Sequence, residues 1–155
     1  MTFTESTTVE NLFRDLLAGG PGAYTAVGPG FARKNGKITG LGWHHLPPAS
    51  VPRLPHEVIV EPWVREALIH LNPEIAAVPD RADEVIYKLR AIVLSVRSDG
   101  LIKANEEMTA WLRGDRSMPF GPNNEHVTVR LLDLENHENN QYVVTTQFTV
   151  RTGPA

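Results

Sequence analysis

The sequence predicts an α+β fold: amphipathic helices come first, β-strands follow, and no regular strand–helix alternation appears. Four segments keep apolar residues at helical spacing, and two late segments alternate with a period of two. Gly, Pro and Asn clusters separate them, as turns require.

The first helix is predicted over Val9 to Ala18. Val9, Leu12, Phe13, Leu16 and Leu17 share one helical face, Thr7 and Glu10 have capping-box spacing, and Gly19–Gly20 stops it. Residues 19–56 read as an irregular segment, with Gly or Pro every few residues. AYTAV and KITGLGW are short strand candidates there, and KNGK is a turn between FAR and KIT. Helix resumes at EPWVREALIHLNPEI. Pro62 suits its first turn, Trp63, Val64, Ala67, Leu68 and Leu71 form the buried stripe, and Asn72–Pro73 ends it. The next helix has Asp80 as its expected N-cap and stops at Ser98–Asp99–Gly100. Its inward face is Val85, Ile86, Leu89, Ile92, Val93 and Val96. A fourth, Ile102 to Leu112, turns Ala104, Met108, Trp111 and Leu112 inward and ends at Gly114.

The last stretch, NNEHVTVRLLDLENHENNQYVVTTQFTV, reads as a C-terminal antiparallel β-hairpin. Val127, Val129 and Leu131 share one face of its first strand, and Tyr142, Val144, Thr146, Phe148 and Val150 share one face of its second. A lone hairpin is marginal in water, and QYVVTTQFTV would leave a long, charge-free edge unpaired. Its partner strands are therefore expected from elsewhere.

At 155 residues, with 41% hydrophobic and 21% charged residues, the chain is sized and composed for a single globular domain over 1–155. A net charge of −3 argues against a wholesale electrostatic grip on nucleic acid, although a local basic patch remains compatible with it. No long apolar run and no signal pattern in MTFTESTTVEN occur, so a cytoplasmic setting is expected. The absence of cysteine removes disulfides, thiolate catalysis and thiolate zinc sites.

No complete catalytic constellation emerges from residue spacing. His44–His45, His56 with Glu57, and His70 lack metal-ligand spacing and read as surface or helix-edge residues. Gly28–Pro29–Gly30 reads as a turn, because the Lys-Ser/Thr pair of a phosphate loop is missing. Arg33, Lys34 and Lys37, beside Phe31, form the one basic cluster. They are candidate DNA-phosphate contacts, set against the plainer reading of a solvated turn. Arg81, Lys88, Arg90 and Arg97, mixed with Asp83 and Glu84, look like a solvent face. Glu106–Glu107 fit an exposed helix face, and Asp133, Glu135 and Glu138 fit a turn. Glu10 is the one carboxylate that could edge into a cleft, although the capping box with Thr7 also explains it.

Several strings together resemble the amino-terminal region of type I restriction enzyme R subunits. They are Glu61–Pro62–Trp63 with Arg65–Glu66–Ala67–Leu68, then Asn72–Pro73–Glu74, then Asn105–Glu106–Glu107 with Trp111–Leu112–Arg113–Gly114. The most telling are Arg130–Leu131–Leu132–Asp133 and the strand Asn140 to Val150. The resemblance covers about Glu57 to Val150 and is thin before His56.

It implies an endonuclease domain of the PD-(D/E)xK type at the front of a large ATP-driven translocase. That enzyme acts on DNA with modification and specificity subunits. In such domains a strand bearing Arg-Pro-Asp and a strand ending in Glu-x-Lys follow, and their acids hold Mg²⁺ at the scissile phosphate. Here RTGPA closes the sequence before either. The expectation is thus an incomplete restriction-endonuclease-like domain, truncated before its catalytic strands. It would bind no metal or cofactor itself, whereas the whole enzyme uses Mg²⁺ and ATP. The resemblance also makes Glu10 the position for an acid that assists the metal. Two alternatives remain: a stand-alone, non-catalytic binding module that pairs with a protein or DNA, and a small DNA-binding protein using Arg33, Lys34 and Lys37.

Overall fold

The computed structural model describes residues 9–18, 43–146 and 149–151, and the backbone of 33–34 and 37–38. Thr7, Gly19–Gly20, the AYTAV strand, Gly28–Pro29–Gly30, Phe31 and Phe148 lie outside the described residues. The fold is α+β, as the order of patterns predicted, and its residues divide into two compact units.

The larger unit, Arg53–Asn140, is mostly helical. Helix α2 (Glu61–Leu71) has its proline in the first turn, where a missing N–H is harmless. Asn72 is extended, and a short helix α3 (Pro73–Ala77) starts at once. Pro73 was read only as a stop, but the same ring geometry that ends one helix starts the next.

Helix α4 (Arg81–Asp99) is followed immediately by α5 (Leu101–Leu112). Gly100, at φ +87°, is the whole connection between them, a conformation that costs glycine little and other residues much. Asp80 does precede α4, but its carboxylate makes no capping hydrogen bond. It lies 4.0 Å from Arg65, whose Nε donates to Asp83 at 3.1 Å.

Strands β4 (Ser117–Met118) and β5 (Val127–Thr128) pair antiparallel, Ser117 opposite Thr128 and Met118 opposite Val127. Gly121 makes the turn between them possible: a Cβ there would lie 2.9 Å from the Glu125 carbonyl oxygen. The core joins Leu68, Ile75, Ala82, Val85, Ile86, Leu89, Trp111, Met118, Phe120 and Val129. Each large member contributes roughly 1.5–3 kcal/mol of burial. Arg81 reaches over this core. Its Nη1 donates to the carbonyls of Glu74 and Phe120 at 2.9 and 3.0 Å, and its guanidinium lies 5.0 Å from the Phe120 ring centre. Val96, near the α4–α5 turn, and Leu112, at the far end of α5, are exposed against expectation.

The smaller unit takes its described residues from 9–52 and 141–151. Helix α1 (Asn11–Ala18) packs beside β3 (His44–His45) and β6 (Val143–Val144). The strands β3 and β6 are parallel, with His44 opposite Val143 and His45 opposite Val144. The His44 and Leu46 N–H groups donate to the Tyr142 and Val144 carbonyls at 2.8 and 3.0 Å, and the Trp43 N–H donates to the Leu17 carbonyl at 3.1 Å. The Trp43 and Tyr142 rings stack at 5.2 Å. Val9 and Phe13, on the predicted apolar face of the first helix, are exposed, while Asp15 is buried in a pair with Arg14. Strands β1 (Arg33–Lys34) and β2 (Lys37–Ile38) pair antiparallel, as the KNGK pattern between them predicted, while Asn35–Gly36 lie outside the described residues.

The predicted C-terminal hairpin is thus corrected. Its two strands pair with other partners, β5 with β4 and β6 with β3, rather than with each other. The physical reason is local. The Met118–Val127 pairing is held by a short turn and by the Val129 N–H donating to the Arg116 carbonyl at 3.0 Å, and Val129 is 1% exposed in the core. The segment expected to fold back as a hairpin turn is closed on itself around Asp133.

Candidate functional site

The sequence-named residues fall in the smaller unit. Glu10 precedes α1 and is half-buried, and Thr7, its expected capping partner, lies outside the described residues. Arg33, Lys34 and Lys37 come together on one ribbon, with Lys34 directly opposite Lys37 and Arg33 opposite Ile38. His44 and His45 are exposed neighbours on β3.

Two of the strings that carry the family resemblance, those of Asn72 and of Arg130–Asp133, meet in the larger unit through side-chain bonds that sequence spacing could not reveal, whereas residues 141–150 belong to the smaller unit. Asn72 is 3% exposed. Its Oδ1 accepts the Arg130 N–H at 2.8 Å, and its Nδ2 donates to the Arg130 and Leu68 carbonyls at 2.9 Å. One side-chain amide therefore imitates a strand, pairing with Arg130 while tying down the end of α2. Asp133 organises the next turn. Its Oδ1 accepts the N–H groups of Glu135 and Asn136 at 3.1 and 2.9 Å, and its Oδ2 accepts Asn139 Nδ2 at 2.8 Å. Asn140 closes the loop, accepting the Asp133 N–H and donating to its carbonyl. The Asn136 N–H, then the Asn139 amide, hold the Asp133 carboxyl below the ordinary aspartate range.

A Mg²⁺ ion in a nuclease needs carboxylates that converge with open oxygen positions. Among the described residues no group of three or more His, Cys, Asp or Glu could hold a metal. Three of the roughly four acceptor positions of Asp133 are already filled by its own loop. The described residues do not fit a Mg²⁺ site.

A different concavity runs between α4 and α5. On α4, Lys88, Ala91, Ile92, Ser95 and Asp99 recur at i, i+3, i+4, i+7 and i+11, so they line one side. On α5, Lys103, Glu106, Glu107 and Trp111 line the other, and Arg116, Ser117, Met118, Pro119 and His126 stand at one end. Two adjoining cavities of about 330 and 490 Å³ result. Arg116 clamps Glu107 with both arms, Nε to Oε1 at 2.8 Å and Nη2 to Oε2 at 2.6 Å. That clamp, with the Trp111 indole beside it, lowers the Glu107 pKa and raises that of Arg116. Ser117 Oγ and His126 Nδ1 share a hydrogen bond at 3.2 Å. Sequence reading missed Arg116, Ser117 and His126 and left Lys88 on a solvent face. The three-to-four-residue stripe on α4 was the available signal.

No described helix is long and apolar enough to cross a membrane. No curated protein and no solved structure matches the chain. The family model for the type I restriction enzyme R protein N terminus (HSDR_N) matches residues 36–155. That span takes in α2 to α5, the Asn72–Arg130 link and the Asp133 turn, and the chain belongs to the family of type I restriction enzyme R protein N termini.

Proposed function

We propose that these residues form a scaffold portion of a type I R subunit's endonuclease domain, with the metal-holding acids and the lysine supplied from outside them. The reading rests on the family match over residues 36–155. It is consistent with the absence of any Glu-x-Lys triplet in the 155 residues. In the whole subunit, DNA is the substrate, modification and specificity subunits are the partners, and ATP and Mg²⁺ are consumed or held elsewhere. A cytoplasmic setting goes with that role. The ribbon of Arg33, Lys34 and Lys37 is the proposed phosphate contact of this portion, and Glu10 the proposed acid that assists a metal once its other ligands are present.

The test is direct. The purified chain, incubated with Mg²⁺ and supercoiled plasmid, is expected to leave the plasmid intact. Nicking that disappears in Glu10→Ala would overturn the proposal. The self-contained core of Arg53–Asn140 favours a second reading, a non-catalytic binding module. That reading expects a sharp, concentration-independent elution peak and Mg²⁺-independent capture of a partner subunit.

A further inference from the structure

The trough between α4 and α5 is graded in charge. At its β4 end Lys88, Arg116 and His126 gather with the Ser117 hydroxyl around the cavity of about 330 Å³. At its other end Asp99 and Glu106 stand beside Lys103. Glu107 borders both, but its carboxylate is engaged by Arg116. That leaves the β4 end with a surplus of donors. Lys88 makes no ion pair among the described residues. Arg116 Nη1 donates only to the Asp115 carbonyl, at 3.4 Å. Ser117 Oγ and His126 Nδ1 share one hydrogen bond, and whichever of them donates it, one hydrogen of the pair stays free to face an anion, the Nε2 one in one tautomer and the hydroxyl one in the other.

Apolar surface from Ala91, Ile92, Trp111, Met118 and Pro119 backs these donors, and low-dielectric walls strengthen a charge-assisted hydrogen bond. A long polyanion laid along the trough would meet Asp99 and Glu106 and be repelled. A single, compact anionic head at the β4 end would meet the donors and one carboxylate, Glu107, which Arg116 already neutralises. Several donors of different geometry around one centre suit the terminal oxygens of a phosphate better than the two of a carboxylate.

We propose that the β4 end of the α4–α5 trough binds a phosphomonoester, held by Lys88, Arg116 and the Ser117–His126 pair. A free nucleotide and the 5′ end of a DNA strand both carry that group. The site uses none of the ribbon residues Arg33, Lys34 and Lys37 and does not depend on the nuclease reading, so the plasmid result leaves it untouched.

The full chain, with ¹⁵N label, is titrated with adenosine monophosphate and followed at the Trp111 indole N–H. A parallel titration uses a short single-stranded oligonucleotide with and without its 5′ phosphate. Saturable shifts at Trp111 are expected for the monophosphate. If the 5′-phosphorylated strand also binds, the DNA end is a source of the group; if it does not, the free nucleotide is. Lys88→Glu, an exposed change that should leave the fold intact, is expected to weaken binding about tenfold or more, the loss of one charged contact. Ser117→Ala should weaken it about threefold, and Arg97→Glu, outside the trough, should leave it unchanged. The proposal fails if Trp111 does not shift up to millimolar monophosphate. It fails equally if the strand lacking a 5′ phosphate binds as well, or if Arg97→Glu weakens binding as much as Lys88→Glu.

Discussion

Arg53–Asn140 joins ten buried side chains in one cluster, from Leu68 to Val129. The smaller unit, among its described residues, has two ladders of two residue pairs each, one aromatic stack, and Val51 and Asp15 as its buried side chains. One region is held by the hydrophobic effect, which is non-directional and large when summed. The other is held by backbone hydrogen bonds, each worth only about 1 kcal/mol net, and by a single ring pair. The difference teaches where stability and proposed function part company. Most of the family's strings, from Glu61 to Asp133, sit in the first region, while Glu10, the basic ribbon and residues 141–150 sit in the second. Elements with few buried contacts open first, and binding elements are often drawn from them.

The comparison can be broken most forcefully from the core. Leu68 is 0% exposed. Leu68→Ala is expected to cost about 3–4 kcal/mol in urea unfolding of the helical unit. A loss under about 1 kcal/mol would mean that this core does not carry the unit. Next is Asn72→Ala, which leaves the Arg130 N–H and two carbonyls without their side-chain partner. It should cost about 2–3 kcal/mol. Asn72→Asp should be no milder, since a carboxylate keeps the acceptor but turns a second oxygen toward the two carbonyls.

In the smaller unit, a double-mutant cycle on Trp43 and Tyr142 should give a coupling of only about 1 kcal/mol, the worth of one stacked pair. A coupling several times larger would show that the unit has a core after all.

The smallest expected effect is acid sensitivity at Asp133. Its pKa is depressed in the folded protein, so its contribution is full above the ordinary aspartate value of about 3.9 and is lost as pH falls through the depressed one. The Asn139 side-chain amide resonances report this directly. They should hold their folded positions through the ordinary aspartate titration and move only below it, and in Asp133→Asn the transition should vanish.

Much of the helical unit was legible in the sequence, because helices are local. Val85, Ile86 and Leu89 announce α4 by spacing alone, and Gly100 announces its end. The α3 start at Pro73 was hidden because proline after an extended residue reads equally as a stop and as a first turn. Strand pairing was misassigned because a period of two marks a strand without naming its neighbour. Nothing in VTVRLL says that Val127 faces Met118, or that Val143 runs parallel to His44. The Asn72–Arg130 link spans 58 residues and is a tertiary fact. The trough was half-visible in the Lys88–Ala91–Ile92–Ser95 stripe, but Arg116 and His126 reach it only through the β4–β5 pairing.

Native-state hydrogen exchange tests the division between the two regions most directly. The Val129 amide, bonded to Arg116 in the core unit, and the buried stretch of α4 around Leu89 should exchange at least about a hundredfold more slowly than the His44 and Leu46 amides of the β3–β6 ladder. Equal protection across both sets would contradict the account, because the ladder would then be as firmly held as the core.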